Sequence, residues 1–313
     1  MTGGGRAAAP IRRRLAALAG GGSGATTLRA MLWMVASGVL FLLLNAILRG
    51  MAQQLDPFQT QFLRYLLGVG VMLPFILRRG LAAYRPNGLA GQLWRGAVHT
   101  AGLLLWFTAL PHVPLAEMTA LGFTTPIFIM LGAMIFLGER KVPARWAAAL
   151  AGFAGVLVVV WPGLSGAGGT GGYSLVMLGA APLFAASFLI TKALTRRDSP
   201  QVIVAWQSIT VALFSLPFAL PHWAWPSAAQ WGWFALAGVL GTAGHICLTR
   251  AFATAEMSAI QPVKFLELVW ASLLGFLVFG DVPGRSTVLG GLVIFAATTW
   301  IAQREARRQA RRP

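Results

Sequence analysis

Residues 115–137 read LAEMTALGFTTPIFIMLGAMIFL, and residues 257–279 read MSAIQPVKFLELVWASLLGFLVF. Both runs are 23 residues long and mostly apolar, and each is followed by a glycine and an acid, Gly138-Glu139 and Gly280-Asp281. A helix needs about 20 apolar residues to span the hydrocarbon of a bilayer. The two runs lie 142 residues apart, so they predict membrane-spanning helices at equivalent places in a duplicated chain.

The duplication extends to other parts of the chain. Thr100-Ala101-Gly102 returns as Thr242-Ala243-Gly244 at the same offset, and Pro74-Phe75 returns as Pro217-Phe218 one residue later. Ten apolar runs share these repeats: 28–48, 58–77, 92–110, 115–137, 146–161, 173–191, 201–220, 231–249, 257–279 and 286–302. Because five runs per copy is an odd number, the second copy enters the membrane from the opposite side. The sequence predicts an all-α membrane protein whose ten transmembrane helices form two inverted five-helix repeats.

The composition fits a bilayer better than water. Of the 313 residues, 57% are apolar and 11% are charged, whereas a soluble domain carries about 25% charged residues. The net charge of +17 comes from 25 Lys and Arg against 8 Asp and Glu. If the N-terminus is cytoplasmic, 21 of these cations fall on the cytoplasmic side and only Arg49 and Arg285 on the other. Basic loops mark the cytoplasmic face, so the charge predicts topology and no nucleic-acid partner.

These placements predict a multi-pass protein of the bacterial inner (plasma) membrane with both termini in the cytoplasm. Residues 1–27 are predicted to be a disordered basic cytoplasmic tail, and residues 303–313 a second basic tail. The first five-helix repeat is expected over 28–162 and the second over 173–302.

Several short motifs are shared with one known family: Phe62-Leu63-Arg64-Tyr65, Leu73-Pro74-Phe75, Trp94-Arg95-Gly96, Thr125-Pro126, Leu137-Gly138-Glu139-Arg140, Phe265-Leu266-Glu267-Leu268 and Phe279-Gly280-Asp281. Over about residues 28–302 the chain resembles the drug/metabolite transporter superfamily of EamA type. Gly280-Asp281 departs from the Gly-Glu that this family often carries. The resemblance implies ten helices in two inverted repeats. It is greatest to the branch of S-adenosylmethionine uptake transporters and to neighbouring riboflavin and amino-acid carriers.

Three ionisable side chains lie near mid-depth of the predicted helices: Arg64, Lys264 and Glu267. An unpaired charge at membrane depth is costly, so such groups are candidate site residues. Lys264 and Glu267 are three residues apart and can reach each other. They form either a self-neutralised structural pair or a substrate or proton site. Their repeat equivalents, Gly122 and Thr125, are uncharged, which favours the functional interpretation.

Arg64 adds a second cation, and its repeat equivalent is the neutral Gln207. The three groups leave one net positive charge in the helices unless Glu117 reaches them. A zwitterion would complement this arrangement. Arg64 or Lys264 would bind its carboxylate, and Glu267 would bind an ammonium or sulfonium group.

Other polar and aromatic residues in the apolar runs are further candidates. His99, His245 and Glu267 are candidates for proton coupling, although neutral histidines are common in packed helices. Pro126 is expected to kink the fourth helix for gating. The remaining candidates for substrate binding are Trp106, Trp270, Asn45, Gln61 and Gln261. The two indoles equally suit the membrane interface or lipid contact.

We therefore predict a secondary transporter that moves a small polar metabolite by alternating access, with no cofactor or metal. The substrate expected from the resemblance is S-adenosylmethionine or a similar amino-acid-like zwitterion. Export or uptake of riboflavin, amino acids or another metabolite is the alternative within the family, and a non-transporting membrane scaffold is the alternative outside it. The chain has no P-loop, no His-Glu-x-x-His and no Gly-x-Ser-x-Gly, which argues against an ATP-driven pump or an enzyme. A homodimer is left open.

Overall fold

The computed structural model describes residues 23–110, 112, 121–164, 172–270 and 285–310. Within these ranges the chain is helical and contains no strand. The helices are α1 (Ser23–Ala52), α2 (Pro57–Arg79), α3 (Leu89–Ala109), α4 (Thr125–Phe136), α5 (Pro143–Leu164), α6 (Tyr173–Leu194), α7 (Pro200–Ala219), α8 (Ala228–Thr254), α9 (Met257–Ile260) and α10 (Arg285–Ala310), with 3₁₀ turns at Leu81–Tyr84 and Gln261–Phe265.

Some sequence-based expectations fall outside the described residues: the tail through residue 22, residues 115–120 with Glu117, residues 271–279, Asp281 and residues 311–313. Several helices are longer than their apolar runs, among them α1 and α10. The first begins at Ser23, within the predicted tail 1–27, and α10 continues through Ala310.

Polar side chains define where several helices begin. Asp56 accepts hydrogen bonds from the backbone N–H groups of Phe58 and Gln59, at 2.9 and 3.0 Å, and so caps α2. Ser199 caps α7 in the same manner, and a proline opens both helices. Ser227 begins α8 with a reciprocal capping box to Gln230. These caps satisfy backbone donors that have no partner within the helix.

Five of the described helices are long and apolar enough to cross a membrane: Thr26–Ala52, Pro57–Arg79, Leu175–Leu194, Pro200–Ala219 and Ala228–Thr254. Shorter apolar helices occupy Thr125–Phe136, Pro143–Val158 and Val288–Arg304. Many apolar side chains on the outer helix faces, such as Ile135 and Leu175, are exposed. An outer surface of this kind suits lipid rather than water.

The helices pack mainly in four pairs: α1 with α8, α3 with α6, α2 with α7, and α5 with α10. The loops meet at two ends. At the first, called here the basic end, Asn87 Nδ2 donates to the carbonyl of Arg197 at 2.7 Å, joining loop 80–88 to loop 195–199. At the opposite end, the Gln59 amide both donates to and accepts from the backbone of Ala224. Each end is thus held by contacts between the two halves of the chain.

The fourth and ninth apolar runs are not straight single helices in their described parts. Residues 121–122 are helical and 123–124 form a turn before α4 begins at Thr125. The ninth run passes from α9 through the 3₁₀ turn Gln261–Phe265 into helix again at 266–270. The sequence places Pro126 inside a continuous helix, whereas the structure interrupts the run just before it; its role in gating stays a prediction. This proline lies in the first turn of α4, where its missing N–H has no partner to lose.

Candidate functional site

A cavity of about 280 Å³ lies between α1, α2, α3, α4, α6, α8 and the ninth run, and is called here the central cavity. It extends from His245 and Phe188 toward the opposite end, where Leu48, Arg49 and Leu110 line it. Its walls come from both halves of the chain. The interrupted fourth and ninth runs both line it, the fourth through Gly122 and Thr125 and the ninth through Lys264 and Glu267.

The three charges predicted from the sequence meet in this cavity. Lys264 Nζ donates to Glu267 Oε1 at 2.5 Å, and both side chains are about one-fifth exposed. Arg64 is only 6% exposed, and its guanidinium carbon lies 3.9 Å from the centre of the Tyr65 ring. Within the described residues, the Arg64 guanidinium makes no hydrogen bond or ion pair. Among the described residues, this cation is therefore compensated by a cation–π contact alone.

Both candidate histidines line the cavity and are buried. His99 lies between two hydroxyls: Nε2 is 2.9 Å from Tyr65 Oη, and Nδ1 is 3.1 Å from Ser187 Oγ. His245 packs edge-on against Phe41, and its Nε2 is 3.4 Å from Gln207 Nε2. The His245 Nδ1 atom has no hydrogen-bond partner in the described part of the chain. These two rings lie on the same cavity wall as Arg64 and Tyr65, and this polar part of the wall is called here the cavity floor.

Aromatic side chains form much of the remaining wall. Trp106, predicted from the sequence, lies 6.2 Å from Phe184 between ring centres, and Phe184 in turn packs on His99. Phe41, Phe107, Phe123 and Phe188 complete the aromatic lining. Such a wall can stack against a flat ring system.

Not all of the other predicted residues line the cavity. Asn45 lines the cavity, whereas Gln61, Gln261, Trp270 and Pro126 do not. The amides of Gln61 and Gln261 and the indole N–H of Trp270 are buried without hydrogen-bond partners among the described residues. A polar residue in an apolar run is expected to be buried, but the sequence does not show whether its side chain points into the cavity.

Several cavity residues are not predicted by the sequence. The charge pattern places Arg49 in an outside loop, and Tyr65 is recognisable only as part of a motif. Phe41, Phe184 and Phe188 carry no local signal, since a phenylalanine facing a cavity and one facing lipid look alike in sequence.

The structure corrects the predicted position of Arg95. The charge pattern counts it among the cations of the cytoplasmic side, but it is 1% exposed and buried between α3, α6 and α7. Its guanidinium donates to Thr191 Oγ1 at 2.5 Å, to the carbonyl of Ile203 at 3.0 Å and to Gln207 Oε1 at 2.6 Å. Gln207 also lies next to His245. Arg95 therefore holds in place a side chain that contacts the cavity floor.

Comparison with known proteins identifies the family. The EamA-like transporter family matches this chain twice, over residues 28–161 and 171–303. The chain belongs to this family. The superfamily assignment from the sequence motifs is therefore confirmed.

Curated relatives of this EamA-like transporter cover nearly its whole length. A protein named riboflavin transporter from Rhizobium johnstonii is 36% identical, with the match covering 89% of this chain and 92% of that one. A riboflavin transporter from Vibrio cholerae is 31% identical over 91% and 96%. An S-adenosylmethionine uptake transporter from Rickettsia prowazekii is 28% identical over 90% and 94%. The chain is a small-molecule transporter of the multi-pass membrane type and not an enzyme.

A crystal structure of another protein has the same fold. It superposes on this EamA-like transporter with a TM-score of 0.76, covering 89% of this chain and 98% of the other. The two are 21% identical in sequence, so the likeness concerns the fold alone.

The basic end of the EamA-like transporter is closed by contacts between its halves. Glu139 accepts hydrogen bonds from the N–H groups of Met257 and Ser258, at 2.7 and 3.1 Å, and from Ser258 Oγ at 2.6 Å. Arg145 forms an ion pair with Glu256 and donates to Ser258 Oγ. These groups join the start of α5 and the loop before it to the beginning of α9, between the central cavity and this end.

A lysine strengthens the same closure. Lys192, near the end of α6, donates to the carbonyls of Phe252 and Ala255 at 2.5 and 2.7 Å. Carbonyls at the end of a helix lack partners within it, and a cation is favourable there. The contact ties α6 to the end of α8.

Proposed function

We propose that this EamA-like transporter is a secondary transporter that moves a small, flat, polar metabolite by alternating access, with riboflavin as the best-supported substrate. The observation that carries the proposal is the Arg64 guanidinium, which faces an aromatic-lined cavity without an acceptor in the described residues. A ligand that supplies both a ring face and a carbonyl or carboxylate oxygen would satisfy it.

The packing of the helices supports two inverted five-helix repeats. If α1 corresponds to α6 and α3 to α8, then the contact of α1 with α8 and that of α3 with α6 are equivalent. The pairs of α2 with α7 and of α5 with α10 each join equivalent helices. Interrupted helices at a central site recur in transporters built from inverted repeats. This arrangement supports the proposal of ten transmembrane helices whose two halves exchange conformation.

The conformation described here would be the outward-facing one. The basic end is closed by Glu139 and Arg145, whereas the cavity extends toward the opposite end. If the basic end is cytoplasmic, as the positive-inside rule predicts, both termini lie in the cytoplasm and the cavity faces the periplasm. The proposed location is the bacterial inner membrane.

The charge of the cavity favours riboflavin. Among the described lining residues, Lys264 and Glu267 neutralise each other, Arg64 leaves a positive charge, and Arg49 adds a second cation near the opposite end. Riboflavin is uncharged at neutral pH, and its flat isoalloxazine ring carries carbonyl oxygens. Arg64 can donate to these oxygens while Trp106 and the phenylalanines stack on the ring. The relatives at 36% and 31% identity carry the name riboflavin transporter.

S-adenosylmethionine is the second candidate, because one acidic group, Glu267, does line the cavity. Its carboxylate would bind Arg64, and its sulfonium or ammonium would displace Lys264 from Glu267. This cargo carries a net positive charge at neutral pH, however, and would enter a cavity whose described lining residues already have an excess of cations. The charge balance therefore ranks it below riboflavin.

Coupling to a proton is proposed for Glu267, His99 and His245. All three line the cavity, where they alternate between exposure to either side as the halves exchange conformation. His99 already links to Tyr65 and Ser187, so a proton taken up at the cavity has hydrogen-bonded neighbours.

The deciding experiment is uptake by the purified full-length chain in proteoliposomes. We expect saturable uptake of radiolabelled riboflavin that excess S-adenosylmethionine competes only weakly. We also expect Arg64→Ala to lower the initial rate about tenfold, because a hydrogen bond to a charged group is worth roughly 1.5–3 kcal/mol. Uptake of S-adenosylmethionine alone would select the second candidate. Uptake of neither above protein-free vesicles would overturn both.

A further inference from the structure

We infer that Gly241 is a positioning residue for Arg64: the missing side chain on α8 creates the space in which the guanidinium lies and so directs it into the central cavity. The inference rests on the proposed function, in which Arg64 contacts the substrate. It extends that function to a residue that itself makes no polar contact with the substrate.

A side chain at Gly241 would collide with the guanidinium group of Arg64. A Cβ atom at this position would lie 2.7 Å from Arg64 Nη2, 2.9 Å from Nε and 3.0 Å from Cζ. Real Cβ atoms essentially never approach a heavy atom within 3.0 Å, so the guanidinium occupies the space that any other residue would fill. At nearby Gly238 the equivalent atom would instead meet the backbone of Leu67 and Gly68. Gly238 therefore serves helix packing, whereas Gly241 accommodates a side chain.

Gly241 and Tyr65 together restrain the guanidinium. The ring of Tyr65 lies 3.9 Å from Arg64 Cζ, and Tyr65 is itself held by its hydroxyl contact with His99. Because Arg64 has no hydrogen-bond partner in the described residues, these two van der Waals and cation–π contacts determine its direction. The donors of Arg64 stay available to a ligand in a fixed orientation, which lowers the entropic cost of binding.

The duplication shows that this contact joins the two repeats and that its equivalent pair has different residues. The repeat places His99 at the position of Gly241, since Thr100-Ala101-Gly102 corresponds to Thr242-Ala243-Gly244. It places Gln207 at the position of Arg64. Arg64 of the first repeat thus meets Gly241 of the second, whereas the equivalent pair, Gln207 of the second repeat and His99 of the first, combines a neutral amide with an imidazole. Arginine and glycine occur together, as expected if one requires the space that the other leaves.

The test is a double-mutant cycle in the full-length protein, with riboflavin binding read by quenching of flavin fluorescence. Gly241→Ala is expected to raise the Kd for riboflavin about tenfold, as displacement of one charge-assisted hydrogen bond would. The matched control is Gly232→Ala on the same helix, where an added Cβ meets nothing within 4 Å, and its Kd should equal that of the parent. In Arg64→Lys, whose ammonium does not fill the same space, Gly241→Ala should change the Kd less than twofold.

Thermal stability supplies a second measurement that does not depend on the ligand. Gly241→Ala should lower Tm by a few degrees in the parent protein and not in Arg64→Ala, where the clashing group is gone. Equal effects of Gly241→Ala with and without the Arg64 side chain, in both Kd and Tm, would overturn the inference. Coupling in Tm together with absence of riboflavin binding by the parent protein would instead overturn the proposed substrate and retain Gly241 as the residue that places Arg64.

Discussion

Ser258 Oγ lies 2.6 Å from Glu139 Oε2, and this contact joins the loop after α4 in the first half of the chain to the start of α9 in the second. Glu139 also accepts from two backbone N–H groups at the beginning of α9. A carboxylate at a helix N-terminus is favoured by the unpaired donors there. Glu139 thus satisfies three donors at the closure of the basic end, beside the contacts of Arg145 and Lys192.

Loss of the Glu139 side chain should open the basic end. In a Cys247→Ser background, we expect Glu139→Ala to raise the rate at which Ala255→Cys reacts with a membrane-impermeant maleimide about tenfold, because three hydrogen bonds to a carboxylate are removed. Arg140→Ala changes an exposed neighbour and should leave the rate unchanged. Equal labelling in the two variants would show that Glu139 does not hold the closure.

Variants of Lys264 and Glu267 can show whether this ion pair has a structural or a functional role. Lys264→Met or Glu267→Gln alone should lower Tm, because each leaves one partly buried charge without its partner. The double variant should regain most of that stability. If Glu267 acts in binding or proton coupling, transport by the double variant should still be at least about tenfold below the parent. Recovery of transport together with stability would make the pair purely structural.

Tyr65→Phe isolates the hydroxyl that faces His99. The ring under Arg64 is kept, but His99 Nε2 loses its partner at 2.9 Å. An unsatisfied buried group costs about 1–3 kcal/mol, so Tm and the initial transport rate should both fall. Tyr84→Phe is the control, since the Tyr84 hydroxyl has no hydrogen-bond partner among the described residues. Identical behaviour of the two variants would remove Tyr65 and His99 from the proposed floor of the site.

We expect Gly38 on α1 to affect stability and transport through its close contact with Glu267. A Cβ at Gly38 would lie 2.7 Å from Glu267 Cγ and 3.1 Å from Oε1, so Gly38→Ala should displace the carboxylate from Lys264. Overpacking of this kind costs about 1–3 kcal/mol, and we expect a lower Tm and slower transport. Gly50→Ala lies on the same helix and meets nothing within 4 Å. A decrease in Gly50→Ala as large as that in Gly38→Ala would contradict the contact.

Much of the fold can be predicted because hydropathy depends on local composition. The runs 58–77 and 201–220 correspond closely to α2 (Pro57–Arg79) and α7 (Pro200–Ala219). The role of Pro126 cannot be predicted in the same way. A proline kinks a helix only if a turn precedes it, and where α4 begins depends on the packing of residues distant in sequence.

Part of the candidate site can also be predicted from local sequence. Charges in apolar runs are costly, so the sequence itself distinguishes Arg64, Lys264 and Glu267, and these three side chains line the same cavity. Gln61 and Gln261 are equally distinct in the sequence but lie outside the cavity. The rotation of each helix about its axis determines which polar groups face the cavity, and that rotation depends on packing against other helices.

Arg64 and Arg95 show what the sequence determined and what the tertiary structure decided. The sequence alone indicated a helical membrane protein of a transporter family; it placed Arg64 inside a helix and counted Arg95 among the cations of the cytoplasmic side. The structure leaves Arg64 facing the cavity without an acceptor in the described residues, while Thr191, Ile203 and Gln207 satisfy Arg95. A buried charge is stabilised by the groups that surround it. Those groups come from helices about a hundred or more residues away in sequence, so only the folded chain distinguishes the structural arginine from the candidate binding arginine.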